Sequence, residues 1–223
     1  MGLSQAFNVF LAVFAALFPV VNPLGGAPIF YSLTRDVPPE TRALMARKVA
    51  IYGFVLLLGS MIIGSHVLTF FGISLPVLRV AGGLVVTFVG WQLLHQGNPT
   101  PERSAPRTID VAQIEGQAFY PITMPLTTGP GSIATAVALG AQADLQASGP
   151  GLGAAIVVAA LLGVVAVSVT IYVAYRYAGD IERFLGANGT NILVRLFAFI
   201  LLCIGMQIMW VGISALILSL HGG

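Results

Sequence analysis

Long apolar runs alternate with short polar or Pro/Gly-rich breaks along the whole chain, and these runs define its elements. They fall at 7–33, 49–71, 75–96, 118–142, 151–176 and 190–219. Each is long enough to cross a hydrocarbon core that needs roughly 20 helical residues. The pattern predicts an all-α integral membrane protein of six transmembrane helices, forming one transmembrane domain over 1–223. No Lys or Arg precedes Phe7, so the first run lacks the basic start of a cleavable signal peptide and is read as a mature span. The stretch 97–117 is polar and Pro-rich, and reads as a linker between two three-helix units, 1–96 and 118–223.

Composition agrees with this pattern. Hydrophobic residues make up 57% of the chain and charged ones 8%, where a soluble domain carries roughly 25% charged residues. Charge position then orients the spans. The loops after the first, third and fifth runs hold Arg35, Arg42, Arg47, Lys48, Arg103, Arg107, Arg176 and Arg183, and the opposite loops hold no Lys or Arg. The positive-inside rule therefore puts the basic loops, including the linker, in the cytoplasm and both termini on the outer face of the cytoplasmic membrane. A net charge of +2, scattered as it is, gives no reason to expect nucleic acid as a partner. Cys203 is the one cysteine. It excludes an internal disulfide and is expected to be a small buried residue.

An internal repeat marks the candidate site. Residues 18–28, FPVVNPLGGAP, align without a gap on 120–130, YPITMPLTTGP, matching Pro19, Pro23, Leu24 and Pro28 to Pro121, Pro125, Leu126 and Pro130. The similarity continues faintly to the third run of each half. There Arg79 and Gly90-Trp91-Gln92 correspond to Arg195 and Gly205-Met206-Gln207, with a one-residue gap. The copies lie three spans apart along the chain, so the second half enters the membrane from the opposite side. That is the inverted-topology repeat of many secondary transporters.

Proline in a helix interior removes a donor and collides with the carbonyl four residues back, at a cost of about 3 kcal/mol. Three prolines in each copy predict discontinuous first and fourth helices. Gly25 and Gly26, and Gly129 and Gly131, supply the backbone freedom of an unwound stretch. Broken backbone in a membrane must face protein or a wet cavity. The prolines would free the carbonyls of Ala15, Pro19 and Leu24, and of Gln117, Pro121 and Leu126, which suit a cation. The half-helices restarting near Ile29 and near Ser132 would offer N–H groups that suit a carboxylate. A site with both is shaped for a small zwitterion. Kinks that serve only packing are the alternative, and duplication of the whole pattern favours a site.

Asn22 lies in the first break, and Thr123, Thr127, Thr128 and Ser132 in the second. Their side chains either meet solute or cap carbonyls of their own helix. Arg79 and Arg195 are the charges inside spans, read as gating residues or as anchors that snorkel to the interface. The acids Asp36, Glu40, Glu102, Asp110, Glu115, Asp144, Asp180 and Glu182 fall in loops or span ends. No buried carboxylate relay is expected, and a coupling cation, H+ or Na+, would meet backbone carbonyls or a loop-end acid such as Glu115. Nothing among these residues suggests hydrolysis or phosphoryl transfer, so neither an enzyme nor a metal or cofactor is expected. Ser60 with Gly64, and Gly82 with Gly83, read as packing faces within the monomer or between protomers of a homo-oligomer, with lipid around the rest. Trp91, Trp210, Tyr172, Tyr175 and Tyr177 fit interfacial belts.

The segments NPLGGAPIF at 22–30, PLTTGPGSI at 125–133 and LRVAGG at 78–83 resemble the MarC family of bacterial and archaeal inner-membrane proteins over nearly the whole chain. The resemblance implies a place near the LysE-type exporters, and outward transport of small neutral amino acids such as alanine and glycine. It also implies a site lined by Asn22, Pro23, Gly25, Gly26, Pro125, Thr127, Thr128, Gly129 and Gly131. The first copy has GG where the second has TT, so equal roles for the two halves do not follow. The rival reading is a passive channel for small polar solutes.

Overall fold

A computed structural model describes residues 2–95, 116–142 and 150–221, and most of the 97–117 linker lies outside them. Every regular element among the described residues is helical. In chain order they are α1 (Gly2–Val21), α2 (Pro23–Leu33), α3 (Pro39–Phe70), α4 (Leu75–His95), α5 (Ala118–Thr127), α6 (Pro130–Gln142), α7 (Pro150–Arg176) and α8 (Ala178–His221). Among the described residues, five segments are long and apolar enough to cross a membrane: Ser4–Leu33, Pro39–Phe70, Leu75–His95, Gly153–Arg176 and Asn188–Leu220.

The fourth of the six expected spans is divided, as its prolines predicted, and the five segments just given cover the other five runs. Residues 118–142 split into α5 and a 13-residue α6, about 20 Å long at 1.5 Å per residue, which is too short to span alone. Proline chemistry explains the split. A residue before proline is pushed out of the right-handed helical region, and Tyr120 (φ −126°, ψ 125°) and Met124 (φ −121°, ψ 118°) are both extended. Between them the chain winds wide, with Thr128 N donating to Thr123 O five residues back at 2.7 Å.

The surface is inverted relative to a soluble protein. Phe70, Phe88, Ile62 and Leu84 are exposed, whereas Thr34, Thr123, Thr127, Thr128, Ser132 and Ser168 are buried. Apolar side chains on the outside and hydroxyls within are what a hydrocarbon solvent selects. Where helices must approach closely, glycines make the contact. A Cβ on Gly64 would strike Val137 of α6, and one on Gly82 would sit 2.5 Å from the Ala134 Cβ. The small-residue faces foreseen on α3 and α4 thus pack within the monomer. Cys203 departs from expectation, being exposed on α8.

The α4–α8 seam is antiparallel and reciprocal. A Cβ on Gly90 would lie 2.6 Å from Leu202 N and 3.0 Å from Ala198 O, and one on Gly205 would strike Thr87 N and lie 2.9 Å from Gly83 O. Counting back from the paired Gly90 and Gly205, Thr87 corresponds to Leu202 and Gly83 to Ala198. Each helix therefore uses the same positions on the other. At the opposite end of the first span, the Arg42 guanidinium donates to Thr34 O at 2.9 Å and Val37 O at 3.1 Å and stacks over Tyr31. One of the basic loop residues is thus the cap that closes α2.

Candidate functional site

The first break is a single residue. Asn22 adopts the left-handed conformation (φ 50°, ψ 57°) between α1 and α2, a region asparagine tolerates better than most residues. Its Oδ1 accepts from Gly25 N at 3.1 Å, capping the new helix. Pro19 and Pro28 sit inside α1 and α2. The restart is therefore at Pro23, six residues before the expected Ile29, because a side-chain cap makes a long unwound segment unnecessary. The restart expected near Ser132 occurs at Pro130.

The two glycines after the break are each required by one contact. A Cβ on Gly25 would strike the Asn22 amide, 2.8 Å from Oδ1, and a Cβ on Gly26 would lie 2.6 Å from the Tyr175 hydroxyl. In the second copy the aligned positions are Thr127 and Thr128. Thr127 Oγ1 donates to Ile122 O at 2.8 Å and lies 2.7 Å from the Tyr175 hydroxyl. Thr128 Oγ1 is buried without a partner among the described residues, and faces α3 at Gly53, where a Cβ would be 3.1 Å away.

Both breaks open onto one cavity of about 350 Å³. From the first copy it is walled by Asn22, Gly25, Gly26 and Ile29, and from the second by Pro121, Pro125, Thr127, Gly129, Gly131 and Ser132. Val85, Val86, Val89 and Gln92 of α4 and Leu201 of α8 complete it. Ligand sites are of this kind, mostly apolar with a few placed polar groups. Of the residues singled out from sequence, Pro23, Thr123 and Thr128 lie outside the lining, and so do Arg79 and Arg195. Arg79 is half-buried and Arg195 exposed. Neither makes an ion pair among the described residues.

Capping claims most of the hydroxyls. Thr123 Oγ1 donates to Ala118 O at 2.6 Å, Thr127 to Ile122 O, and Ser132 Oγ to Gly129 O at 2.9 Å. Ala118 and Ile122 lie one residue beyond carbonyls inferred from proline spacing, because the wide winding of α5 shifts partners to five residues back, and Gly129 lies outside that set. What remains for a solute is acceptance by those oxygens, the side chains of Asn22 and Gln92, and the first-turn N–H groups of α6 at Gly131 and Ser132.

Sequence reasoning overlooked two residues here. Gln92 had a signal, its place in the repeated Gly-x-Gln run. Tyr175 had none that separates it from an interfacial tyrosine. Its ring is fully buried and stacks on Phe30 at 4.5 Å, so its assignment to a belt is corrected. Tyr177, Trp91 and Trp210 are exposed, as belt residues are.

The sequence profile described as "MarC family integral membrane protein" matches residues 7–217. An inner membrane protein MarC of Citrobacter koseri is 32% identical over 99% of this chain and 100% of its own. That of Salmonella typhimurium is 31% identical over the same shares. A membrane protein of Methanocaldococcus jannaschii is 30% identical over 94% of this chain and 88% of its own. No solved structure matches the chain significantly.

Proposed function

This chain belongs to the MarC family of integral membrane proteins, and from that premise we propose that it is a secondary transporter, not an enzyme, moving small neutral amino acids such as alanine and glycine outward across the cytoplasmic membrane. The observation that carries the reading is the single cavity walled by two helix breaks from opposite halves of the chain. Transporter sites form where discontinuous helices meet at a repeat interface. Its size fits a small solute, and its few polar groups leave no provision for a large charged one.

Two inverted three-helix repeats, 1–96 and 118–223, joined by a cytoplasmic linker, are the architecture we assign to this function. The reciprocal use of Gly90 and Gly205 across the α4–α8 seam supports it, since a two-fold relation generates such an exchange of contacts. Both termini then lie on the outer face, which reporter fusions at either end will test.

The test of function is counterflow of labelled alanine and glycine in liposomes reconstituted with the protein. Saturable exchange is expected. Flux that does not saturate would instead indicate a passive pore, and no uptake above empty liposomes would remove the amino-acid assignment.

A further inference from the structure

Tyr175 stands behind the cavity wall and touches both breaks. Its hydroxyl lies 2.7 Å from Thr127 Oγ1 in the second, and where a Cβ on Gly26 in the first would come within 2.6 Å. Proton accounting gives the contact a direction. A threonine hydroxyl carries one proton, and that of Thr127 is donated to Ile122 O at 2.8 Å. The Tyr175 hydroxyl must therefore be the donor to Thr127 Oγ1.

Thr127, a cavity residue, is left with one lone pair and no proton to give, so a solute meets it only as an acceptor. Asn22 is wired in the opposite sense. Its Oδ1 is fixed by the Gly25 N–H, which settles the amide's orientation and leaves Nδ2, with two protons, as the donor this cavity-lining residue can offer. Between these two side chains, Thr127 of the second break presents acceptance and Asn22 of the first donation.

We propose that Tyr175 is a positioning residue that fixes this polarity by holding the Thr127 hydroxyl in its Ile122-bonded orientation. By donating to Thr127 it orients a bound amino acid with its ammonium toward Thr127 and its carboxylate toward the Asn22 amide. The inference rests on the transport reading above and extends it to how the substrate lies. A quaternary amine carries no N–H, so the site discriminates against N,N,N-trimethylglycine by chemistry rather than by charge.

The experiment is counterflow of labelled glycine in liposomes, with thermal unfolding in detergent as the folding control. Tyr175→Phe keeps the ring on Phe30 and removes the proton. KM is expected to rise about tenfold, the scale of one hydrogen bond near a charge, with maximal rate little changed. Thr127→Ser should resemble wild type and Thr127→Val should raise KM at least as far. The double variant Tyr175→Phe/Thr127→Val should be no worse than Thr127→Val alone, because Tyr175 acts through Thr127. Excess alanine should compete with glycine and N,N,N-trimethylglycine should not.

An unchanged KM in Tyr175→Phe, independent multiplication of the two defects, or equal competition by the quaternary amine would each overturn the proposal while leaving transport standing. Failure of wild-type counterflow would overturn both. If Tyr175→Phe does not fold, an unchanged KM in Thr127→Val decides against it.

Discussion

The two breaks share a proline pattern and resolve it differently. At aligned positions, the residue before the middle proline is Asn22 in one copy and Met124 in the other. Both leave the helix there, as pre-proline sterics favour. Asparagine turns left-handed and caps a new helix at once. Methionine has no such cap, stays extended, and leaves a wide-wound segment that ends only at Pro130. The neighbours are exchanged in compensation. Gly26 accepts Tyr175 of α7, while Thr128, its counterpart, is accepted by Gly53 of α3. The small partner sits on the break in one half and on the supporting helix in the other. A matched sequence pattern therefore specifies where winding stops, and the adjoining side chains specify how.

The strongest way to break the comparison is to transplant one pair onto the other. Gly25→Thr/Gly26→Thr drives new atoms into the Asn22 amide and the Tyr175 hydroxyl. Overpacking of about 1–3 kcal/mol at each site should abolish transport and lower the unfolding temperature sharply. The converse, Thr127→Gly/Thr128→Gly, removes atoms instead of adding them, and should fold with a smaller loss of thermal stability. Equal damage from both exchanges would mean that the two halves are packed alike.

Next in size is Asn22→Ala. It forfeits a cap worth about 1 kcal/mol and forces a side chain with no local hydrogen bond into a left-handed conformation costing roughly 1–2 kcal/mol. Asn22→Gly, free of the second cost, should be milder in thermal unfolding. No difference between Ala and Gly would show that the left-handed turn is not what the asparagine is there for.

Gly129→Leu separates cavity from fold. A Cβ there meets Pro125 O at 3.0 Å, a contact that a small shift relieves, and the rest of the side chain enters the cavity that Gly129 lines. Transport should vanish while the unfolding temperature moves little. Full transport in this variant would place the solute elsewhere.

The sequence carried the spans, the breaks and most of the lining, because apolar length and proline spacing act locally. It did not carry the shape of each break. Nothing in the proline spacing distinguishes a capped one-residue turn from a ten-residue wide segment, and the choice fell to Asn22 against Met124. Nor did it reveal Tyr175, since an aromatic near a span end has the same local context whether it faces headgroups or a partner helix. Arg42 was legible as a cytoplasmic charge and not as a helix cap, because its acceptors, Thr34 O and Val37 O, become available only once α2 ends.

The smallest effect tests the difference between adjacent threonines. Thr127 spends its hydroxyl on Ile122 and Tyr175, whereas the Thr128 hydroxyl is fully buried with no partner among the described residues and points at Gly53. An unmet buried hydroxyl costs about 1–3 kcal/mol, and valine fills the same volume without it. Thr128→Val should therefore leave the unfolding temperature unchanged or slightly raised, and transport of glycine within about twofold of wild type, a difference near 0.4 kcal/mol. A stable Thr128→Val protein that no longer transports would mean that the hydroxyl finds its partner in another state of the cycle. The asymmetry between the breaks would then belong to one conformation and not to the molecule.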